Sequence, residues 1–199
     1  MKRTKIICTI GPSSSDEHTL EEMIKAGMNV ARLNFSHGTH EEHLAKIETI
    51  KRVRERMKQP VPIMLDTKGP EYRIRTFKNG KIELKPGDSF IFTSDDIEGD
   101  ETKVSVSYKN LPHELYTGDT ILLNNGLMEC RVEVAEGKNV HTTVVVGGTL
   151  SDRKSMSFPG KVFKQEYLSE QDKKDLLFGI ENDVDFVACS FVSVREDVD

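Results

Sequence analysis

Apolar β-type runs alternate with amphipathic helical stretches along the first third of the chain. The runs at 5–10, 29–33 and 61–65 predict strands, because they combine β-branched and other apolar residues between turn signals. Between them, apolar residues recur at the spacing of a helix face. These helix positions are Leu20, Met23, Ile24, Gly27, Leu44, Ile47, Ile50 and Met57. The order predicts a parallel sheet with right-handed crossovers.

Polar residues mark the expected ends of these helices. Ser14 with Glu17, and Thr39 with Glu42, have the spacing of a capping box, in which each side chain bonds the backbone of the other residue. Gly27 is a typical helix terminator, because glycine adopts the left-handed conformation at low cost. We therefore expect the first helix to end there.

The pattern changes between residues 70 and 167. Short β-type runs occur at 81–84, 89–93, 103–108, 120–123, 127–134 and 139–146. Turn dipeptides separate them, namely Asn79-Gly80, Pro86-Gly87, Gly118-Asp119, Asn125-Gly126 and Glu136-Gly137. We predict an all-β module, a small barrel, inserted in the α/β frame.

Helical patterning resumes near residue 168. Ser169 is the expected N-cap of a third helix, with Leu176, Leu177 and Ile180 on its buried side. A fourth strand follows at 186–190, and a further helix is expected to begin at 194–197. The predicted domains are therefore an α/β domain formed by 1–69 and 168–199, and an inserted domain formed by 70–167.

Polar side chains follow the second and third predicted strands. In an extended segment Arg32, Asn34 and Ser36 fall on one side, and Asp66 and Thr67 end the next strand. The carboxyl ends of strands are where α/β enzymes keep their active sites. A guanidinium binds phosphate or carboxylate through two hydrogen bonds. Amide, hydroxyl and carboxylate oxygens suit a hard cation of low charge.

Composition narrows the function classes. The 199 residues are 36% hydrophobic and 31% charged, as in a globular protein with a solvated surface. The net charge of −5 argues against nucleic-acid binding.

No apolar run is long enough to cross a bilayer, and the short apolar start ends at Gly11, so we expect no membrane partner and no signal peptide. Cys8, Cys130 and Cys189 lack paired spacing, which favours a cytoplasmic protein with reduced thiols, Cys8 and Cys189 being packed in strands.

Other catalytic classes fit poorly. His37, His40 and His43 raise a zinc hypothesis, but His40 and His43 lack the i, i+4 spacing of a metalloprotease helix. The chain has no glycine-lysine-serine or glycine-lysine-threonine phosphate loop and no nucleophile elbow. We therefore reject a P-loop ATPase and a serine hydrolase, and disfavour zinc.

Three segments resemble the pyruvate kinase family. They lie at 4–14, 27–38 and 65–71, and weaker similarity appears at Arg153-Lys154, Phe158-Pro159-Gly160 and 185–191. The resemblance implies an α/β fold, a TIM (β/α)8 barrel interrupted after its third strand by an all-β barrel lid domain. Four strands of that barrel are visible in this sequence, so the expected fold is a partial barrel.

The resemblance also implies an activity, transfer of a phosphoryl group from phosphoenolpyruvate to ADP, giving pyruvate and ATP in glycolysis. Mg²⁺ and K⁺ are the implied cofactors, and a homo-oligomer, a tetramer, is implied for the intact enzyme. Arg32 matches the family's substrate contact. Asn34, Ser36, Asp66 and Thr67 match its potassium ligands. The positions that match nucleotide contacts are Asn34, Phe35, Ser36, His37, Arg73 and Lys154.

Some parts of the family pattern have no counterpart here. The catalytic lysine, the magnesium-binding carboxylates and a substrate-positioning threonine belong to later barrel strands, and no residue of this sequence matches them. We therefore expect a front fragment of the enzyme that is inactive by itself, with no magnesium ligand in this chain. The alternative is a truncated, non-catalytic relative that binds a nucleotide or a partner.

Two segments depart from the family pattern. Asn124-Asn125-Gly126 stands where the family usually has two aspartates before glycine. Ser155-Met156-Ser157-Phe158 replaces the family's usual run of glycine, valine, asparagine and leucine ahead of Pro159. The first departure bears on closure of the lid, and the second bears on the match of Lys154.

Overall fold

The computed structural model describes residues 3–199 and separates them into two compact units. The first unit comprises the chain up to Pro70 together with Gln165–Asp199, and the second is Glu71–Lys164. Met1 and Lys2, the start of the predicted 1–69 segment, lie outside the described residues.

The strands are β1 (Ile7–Thr9), β2 (Val30–Asn34), β3 (Ile63–Asp66), β4 (Lys81–Leu84), β5 (Ser89–Thr93), β6 (Lys103–Ser105), β7 (Thr120–Leu123), β8 (Met128–Glu136), β9 (Asn139–Val146), β10 (Gly148–Ser151), β11 (Met156–Ser157) and β12 (Phe186–Ala188). The α-helices are α1 (Glu17–Ala26), α2 (His40–Met57) and α3 (Glu170–Glu181). Single 3₁₀ turns occur at Pro12–Ser14, Leu111–His113 and Arg195–Asp197.

The first unit is built on a parallel sheet with the strand order β1, β2, β3, β12. In its register Thr9 lies beside Arg32, and Asp66 lies between Asn34 and Ala188. Because the strands are parallel, their carboxyl ends gather at one edge of the sheet. The predicted mixed α/β architecture is confirmed.

The helices bury aliphatic side chains against this sheet. α1 contributes Leu20 and Ile24, and α2 contributes Ile47 and Ile50. They share one core with sheet residues that include Ala31, Leu33, Ile63 and Leu65. Burial of each large aliphatic side chain contributes roughly 1.5–3 kcal/mol, so this layer fixes the strands that carry the polar edge.

Two predicted helix ends are confirmed. Thr39 Oγ1 accepts from the Glu42 N–H at 3.3 Å, and Glu42 Oε2 accepts from the Thr39 N–H at 3.0 Å, which completes the capping box of α2. Gly27 ends α1 in the left-handed conformation, with φ of 113°.

The predicted cap of α1 is wrong. Asp16 is the N-cap, and its carboxylate accepts from the Thr19 N–H at 2.9 Å. Ser14 instead lies in the preceding 3₁₀ turn, where its hydroxyl bonds Gly11. Ser14 and Asp16 both have side chains that can cap a helix. Because Ser14 is part of the 3₁₀ turn, α1 begins only after it, and Asp16 becomes the N-cap.

Two predicted helix faces are corrected. α2 buries His43 in place of Leu44, which is 36% exposed. α3 buries Asp172, Asp175 and Gly179, whereas Leu177 and Ile180 are 60% and 72% exposed. His43 and Asp172 have hydrogen-bond partners in neighbouring loops, and Asp175 bonds to His40 at the start of α2, which offsets the cost of their burial.

The last predicted elements are shorter than expected. β12 ends at Ala188, so Cys189 lies beyond the strand and is exposed, contrary to the prediction. Cys8 is half-buried and packs against the core. The helix expected at 194–197 is a single 3₁₀ turn, Arg195–Asp197.

The second unit consists of strands around its own core. Its six-stranded sheet has the order β11, β7, β8, β9, β5, β6, and β4 pairs with β10. Residues 72–75 join the two edges of the large sheet: the Ile74 N–H donates to Lys154 O beside β11, and the Ser107 N–H donates to Arg73 O beside β6. Sequence patterning missed β10 and β11, which are four and two residues long.

Gly179 provides a test of packing between α3 and the sheet. A Cβ at this position would lie 2.7 Å from Leu65 Cδ1 and 3.2 Å from a Val184 methyl carbon. We expect Gly179→Ala to lower the free energy of unfolding by roughly 1–3 kcal/mol in urea titrations, despite the helix propensity of alanine. Leu177→Ala, on the exposed face of α3, is the control and should change it by less than about 0.5 kcal/mol. Equal effects of the two variants would contradict this packing.

Candidate functional site

Arg32 and Asp66 form an ion pair at the carboxyl edge of the parallel sheet. Arg32 Nε donates to Asp66 Oδ2 at 2.7 Å, and Nη2 contacts the same oxygen. Nη1 donates to Thr9 Oγ1 at 2.6 Å. The Arg32 side chain is 30% exposed, so one side of the guanidinium faces solvent.

The guanidinium of Arg32 retains donors that the protein does not use. An arginine side chain carries five N–H groups in a fixed plane. Three nitrogens each make one of the contacts to Asp66 and Thr9, which leaves one N–H on each terminal nitrogen. These two donors can bind the oxygens of a phosphate or a carboxylate.

Oxygen-bearing side chains lie next to this pair. Asn34 and Asp66 are register partners on adjacent strands, which lie about 4.8 Å apart in a sheet. β2 ends at Asn34, so Ser36 sits in the following turn and not on the strand face that the sequence predicted. The turn nevertheless keeps Ser36 close, because its N–H donates to Asn34 Oδ1 at 3.0 Å.

Thr67 is buried and its hydroxyl makes two hydrogen bonds. Thr67 Oγ1 accepts from the Ser190 N–H at 3.1 Å and donates to Ala188 O at 3.3 Å. The hydroxyl of Ser190 also donates to Asp66 Oδ1 at 2.8 Å. Because the hydroxyl's donor and one of its two acceptor sites are used within the protein, the backbone carbonyl is the less occupied Thr67 oxygen for a cation.

Sequence reasoning missed Thr9 and Ser190 as members of this cluster. Each lies at or just beyond the end of a strand that flanks the two singled-out segments. The signal that could have found them is the same one that found Arg32 and Asp66, a polar side chain where a parallel strand ends.

The donor set suits a hard cation of low charge. Asn34, Ser36, Asp66 and Thr67 offer only oxygen, and Asp66 is the single carboxylate among them. Within residues 3–199, no group of three or more His, Cys, Asp or Glu is placed to hold a metal. The same stretch contains no helix long and apolar enough to cross a bilayer.

The loop from Asn34 to His37 is held from inside by His43. The His43 ring stacks on Phe35 with centroids 4.0 Å apart, and its Nε2 lies 2.9 Å from His37 O, so Nε2–H is the donor. His43 Nδ1 is buried and has no hydrogen-bond partner among the described residues. Burial lowers the pKa of His43, which favours the neutral imidazole in the folded chain.

A polar cavity of about 450 Å³ lies between the starts of α2 and α3. His40 Nε2 lies 2.6 Å from Asp175 Oδ1, and the Gln171 amide donates to the same oxygen at 2.8 Å. Lys68 lines the cavity and is exposed. These contacts tie the start of α2 to α3.

In the second unit, Arg73 and Lys154 lie on neighbouring segments of the polypeptide. The Arg73 guanidinium pairs with Glu71 at 2.7 Å and donates to Arg153 O at 2.6 Å. The Ile74 N–H donates to Lys154 O at 3.0 Å. Among the ion pairs of residues 3–199 none includes Lys154, so its ammonium is available to an anion.

His43 makes stability depend on pH. The charged groups around it are Glu42, Lys46 and Asp175, and burial dominates by lowering its pKa. Below the ordinary pKa of about 6.5 the unfolded chain therefore binds a proton that the folded chain does not, so the free energy of unfolding falls as the pH drops below that value. The slope from this residue is at most about 1.4 kcal/mol per pH unit.

Urea titrations at several pH values between neutral and acidic test this expectation. His43→Phe should show a shallower loss of stability on acidification than the wild type. His18→Gln, at an exposed position of α1, is the control and should keep the wild-type slope. An unchanged slope in His43→Phe would contradict the neutral, buried imidazole.

Comparison with known proteins shows which family this chain resembles. The family model described as pyruvate kinase, barrel domain, matches residues 1–199. The chain is 49% identical over 199 residues to a pyruvate kinase of Clostridium perfringens (strain 13 / Type A), covering all of this chain and 42% of that protein. It is 45% identical over 200 residues to a pyruvate kinase of Staphylococcus aureus (strain USA300), covering all of this chain and 34% of that protein.

The chain thus spans less than half the length of these curated relatives. The family model nevertheless covers every residue of it, including the polar edge built by Arg32, Asn34 and Asp66. The chain belongs to the pyruvate kinase family.

Proposed function

We propose that the protein containing this chain transfers a phosphoryl group from phosphoenolpyruvate to ADP, giving pyruvate and ATP. The observation that supports this most directly is the guanidinium of Arg32, which has two unused N–H donors beside a carboxylate-centred oxygen cluster. Phosphoenolpyruvate carries a phosphate and a carboxylate, the two groups that arginine binds best.

Arg32 is proposed to hold the phosphate of the substrate. Phosphoryl transfer asks little covalent chemistry of the protein, so catalysis depends on positioning and on neutralising charge. Hydrogen bonds to charged groups contribute roughly 1.5–3 kcal/mol each. Thr9 and Asp66 fix the plane of the guanidinium. The two unused N–H donors of Arg32 are therefore oriented before an anion binds.

K⁺ is proposed to bind beside Arg32. The ligands would be the side-chain oxygens of Asn34, Ser36 and Asp66 and the carbonyl oxygen of Thr67. When bound, the ion supplies a second positive charge for the substrate anion. Ser190 supports this set, because it donates to Asp66 and to Thr67 at once.

Nucleotide contacts are proposed in each unit separately. In the first unit they are Asn34, Phe35, Ser36 and His37, the loop that His43 holds. In the second unit they are Arg73 and Lys154, whose cationic groups suit phosphates. We propose that the first unit is the beginning of a (β/α)8 barrel and that the second is a lid domain. Mg²⁺ is the proposed cofactor of the whole protein, with no ligand assigned in this chain.

The location and assembly of the whole protein are proposed from the family resemblance. We propose a cytoplasmic enzyme of glycolysis that forms a homo-oligomer, a tetramer. The three cysteines are free in the structure, which fits a reducing compartment.

Arg32 carries the sharpest test of the activity. In the full-length protein that contains this sequence, Arg32→Ala should lower turnover by at least about 10³-fold, because a charge-stabilising arginine is lost. A coupled assay for pyruvate measures this, and Arg52→Ala on the exposed face of α2 is the control. Near-normal turnover of Arg32→Ala would refute the role. No turnover in the wild type would leave the non-catalytic binding relative as the alternative.

Asp66 tests the cation site. Asp66→Asn keeps the shape and removes the charge that K⁺ requires, so the K⁺ concentration for half-maximal activity should rise by about tenfold or more, as expected for a lost interaction of at least about 1.4 kcal/mol. Asp183→Asn is the matched control, because its side chain is 87% exposed and its left-handed backbone suits asparagine. Equal K⁺ dependence of the two variants would contradict the site.

The 199-residue chain by itself is expected to lack the activity. No residue in it matches the metal carboxylates or the catalytic lysine that the family resemblance implies. A coupled assay with phosphoenolpyruvate, ADP, Mg²⁺ and K⁺ should therefore give no turnover above the blank. Steady turnover by the purified chain would show that the present residues suffice.

A further inference from the structure

Segment 153–156 of the second unit lies between two neighbouring stretches of chain. On one side the Ile74 N–H donates to Lys154 O at 3.0 Å, and the Met156 N–H donates to Tyr72 O at 2.8 Å. On the other side the Asn124 N–H donates to Ser155 O at 3.0 Å. The turn between β7 and β8 therefore contacts the segment that carries Lys154.

Asn125 and Ser155 make two hydrogen bonds with each other. The Asn125 N–H donates to Ser155 Oγ at 3.1 Å, and the Ser155 hydroxyl donates to Asn125 Oδ1 at 3.0 Å. One hydroxyl can do both because it has a donor and two acceptor sites. Asn124 and Asn125 have φ of 51° and 58°, a left-handed conformation in which asparagine is common.

The two segments that depart from the family pattern are thus bonded to each other. Residues 124–126 contribute the turn and residue 155 contributes the hydroxyl. The resulting Asn125–Ser155 pair is neutral. It therefore orders segment 153–156 without adding a carboxylate near the segment that carries Lys154 and contacts Arg73. The pair is partly exposed, which leaves the hydroxyl open to substitution without disturbing the core.

Segment 153–156 also contacts the side chain of Arg73. Arg73 Nη1 donates to Arg153 O at 2.6 Å, and Arg73 forms an isolated bridge with Ser155. A shift of the segment would therefore move the carbonyl that orients Arg73 and the backbone of Lys154 together. The Asn125–Ser155 pair restrains the segment from the side opposite to Arg73.

We propose that Ser155 is a positioning residue for nucleotide binding. Through the Asn125–Ser155 pair it fixes segment 153–156, and so sets where Lys154 and the Arg73 guanidinium stand for the phosphates of a nucleoside diphosphate. This inference rests on the proposed function, in which those two cations contact the nucleotide.

The test uses the full-length protein that contains this sequence and ADP as the probe. Ser155→Ala removes both hydrogen bonds of the Asn125–Ser155 pair but keeps the hydrogen bonds between backbone groups. The dissociation constant for ADP in calorimetry should rise about three- to tenfold, less than the full effect of two neutral hydrogen bonds because Ser155 acts on ADP only through the position of its neighbours. The KM for phosphoenolpyruvate should change by less than about twofold, since Ser155 positions only nucleotide contacts. Ser155→Thr retains a hydroxyl and should restore wild-type ADP binding.

Ser157→Ala is the matched control, because this exposed serine lies in β11, two residues further along the chain. It should bind ADP like the wild type. In amide exchange, the Asn125 N–H should exchange faster in Ser155→Ala and at the wild-type rate in Ser157→Ala.

The outcomes separate two kinds of failure. Unchanged ADP binding by Ser155→Ala, in a protein whose wild type binds ADP, overturns the positioning role and leaves the proposed function intact. Equal losses for ADP and phosphoenolpyruvate also overturn it, because they indicate a general structural effect. A wild type that binds no ADP overturns the proposed function first, and this inference with it.

Discussion

The contact between Arg32 and Asp66 is the interaction on which the site depends. Residues 34 positions apart in sequence meet because β2 and β3 are adjacent and parallel. The pair is partly exposed, and ion pairs of that kind contribute only about 0–1 kcal/mol to stability. A hydrogen bond from the same guanidinium to an anionic ligand is worth roughly 1.5–3 kcal/mol. The pair therefore matters for orienting the guanidinium, and much less for holding the fold.

A layer of buried polar groups supports this edge. Asp172 completes the capping box of α3 with the N-cap Ser169, and it also accepts from the Gly69 N–H at 3.2 Å, which holds the loop after β3. Gly69 has φ of 61°, and a Cβ there would lie 2.5 Å from Ser190 O, so the close approach requires glycine. His43 likewise holds the loop after β2, because its ring stacks on Phe35 and bonds to the carbonyl of His37. Each loop that carries proposed ligands is thus tied to a helix start.

Local patterns predicted the elements whose determinants lie within a few residues. The capping box of α2, the glycine end of α1 and the strands β4, β5, β7 and β9 follow from nearby residues. The buried face of α3 did not follow, because Asp172 and Asp175 go inward to partners more than 100 residues away. The strand-end rule applies to Thr9 and Ser190 as well, but their particular bonds to Arg32 and Asp66 join distant strands and could not be predicted locally. Local sequence predicts which residue types are present and how apolar residues repeat. It does not predict which distant residue a side chain will bond, because that depends on the tertiary fold.

The central claim is that Arg32 and the oxygens of Asn34, Ser36, Asp66 and Thr67 hold an anion beside a monovalent cation. Anomalous diffraction from crystals of the full-length protein with Tl⁺ in place of K⁺, and with phosphoenolpyruvate, tests it most directly. The account predicts a Tl⁺ peak coordinated by those oxygens, with the substrate phosphate on the terminal nitrogens of Arg32. A Tl⁺ peak elsewhere, or a bound phosphate that Arg32 does not touch, would contradict it.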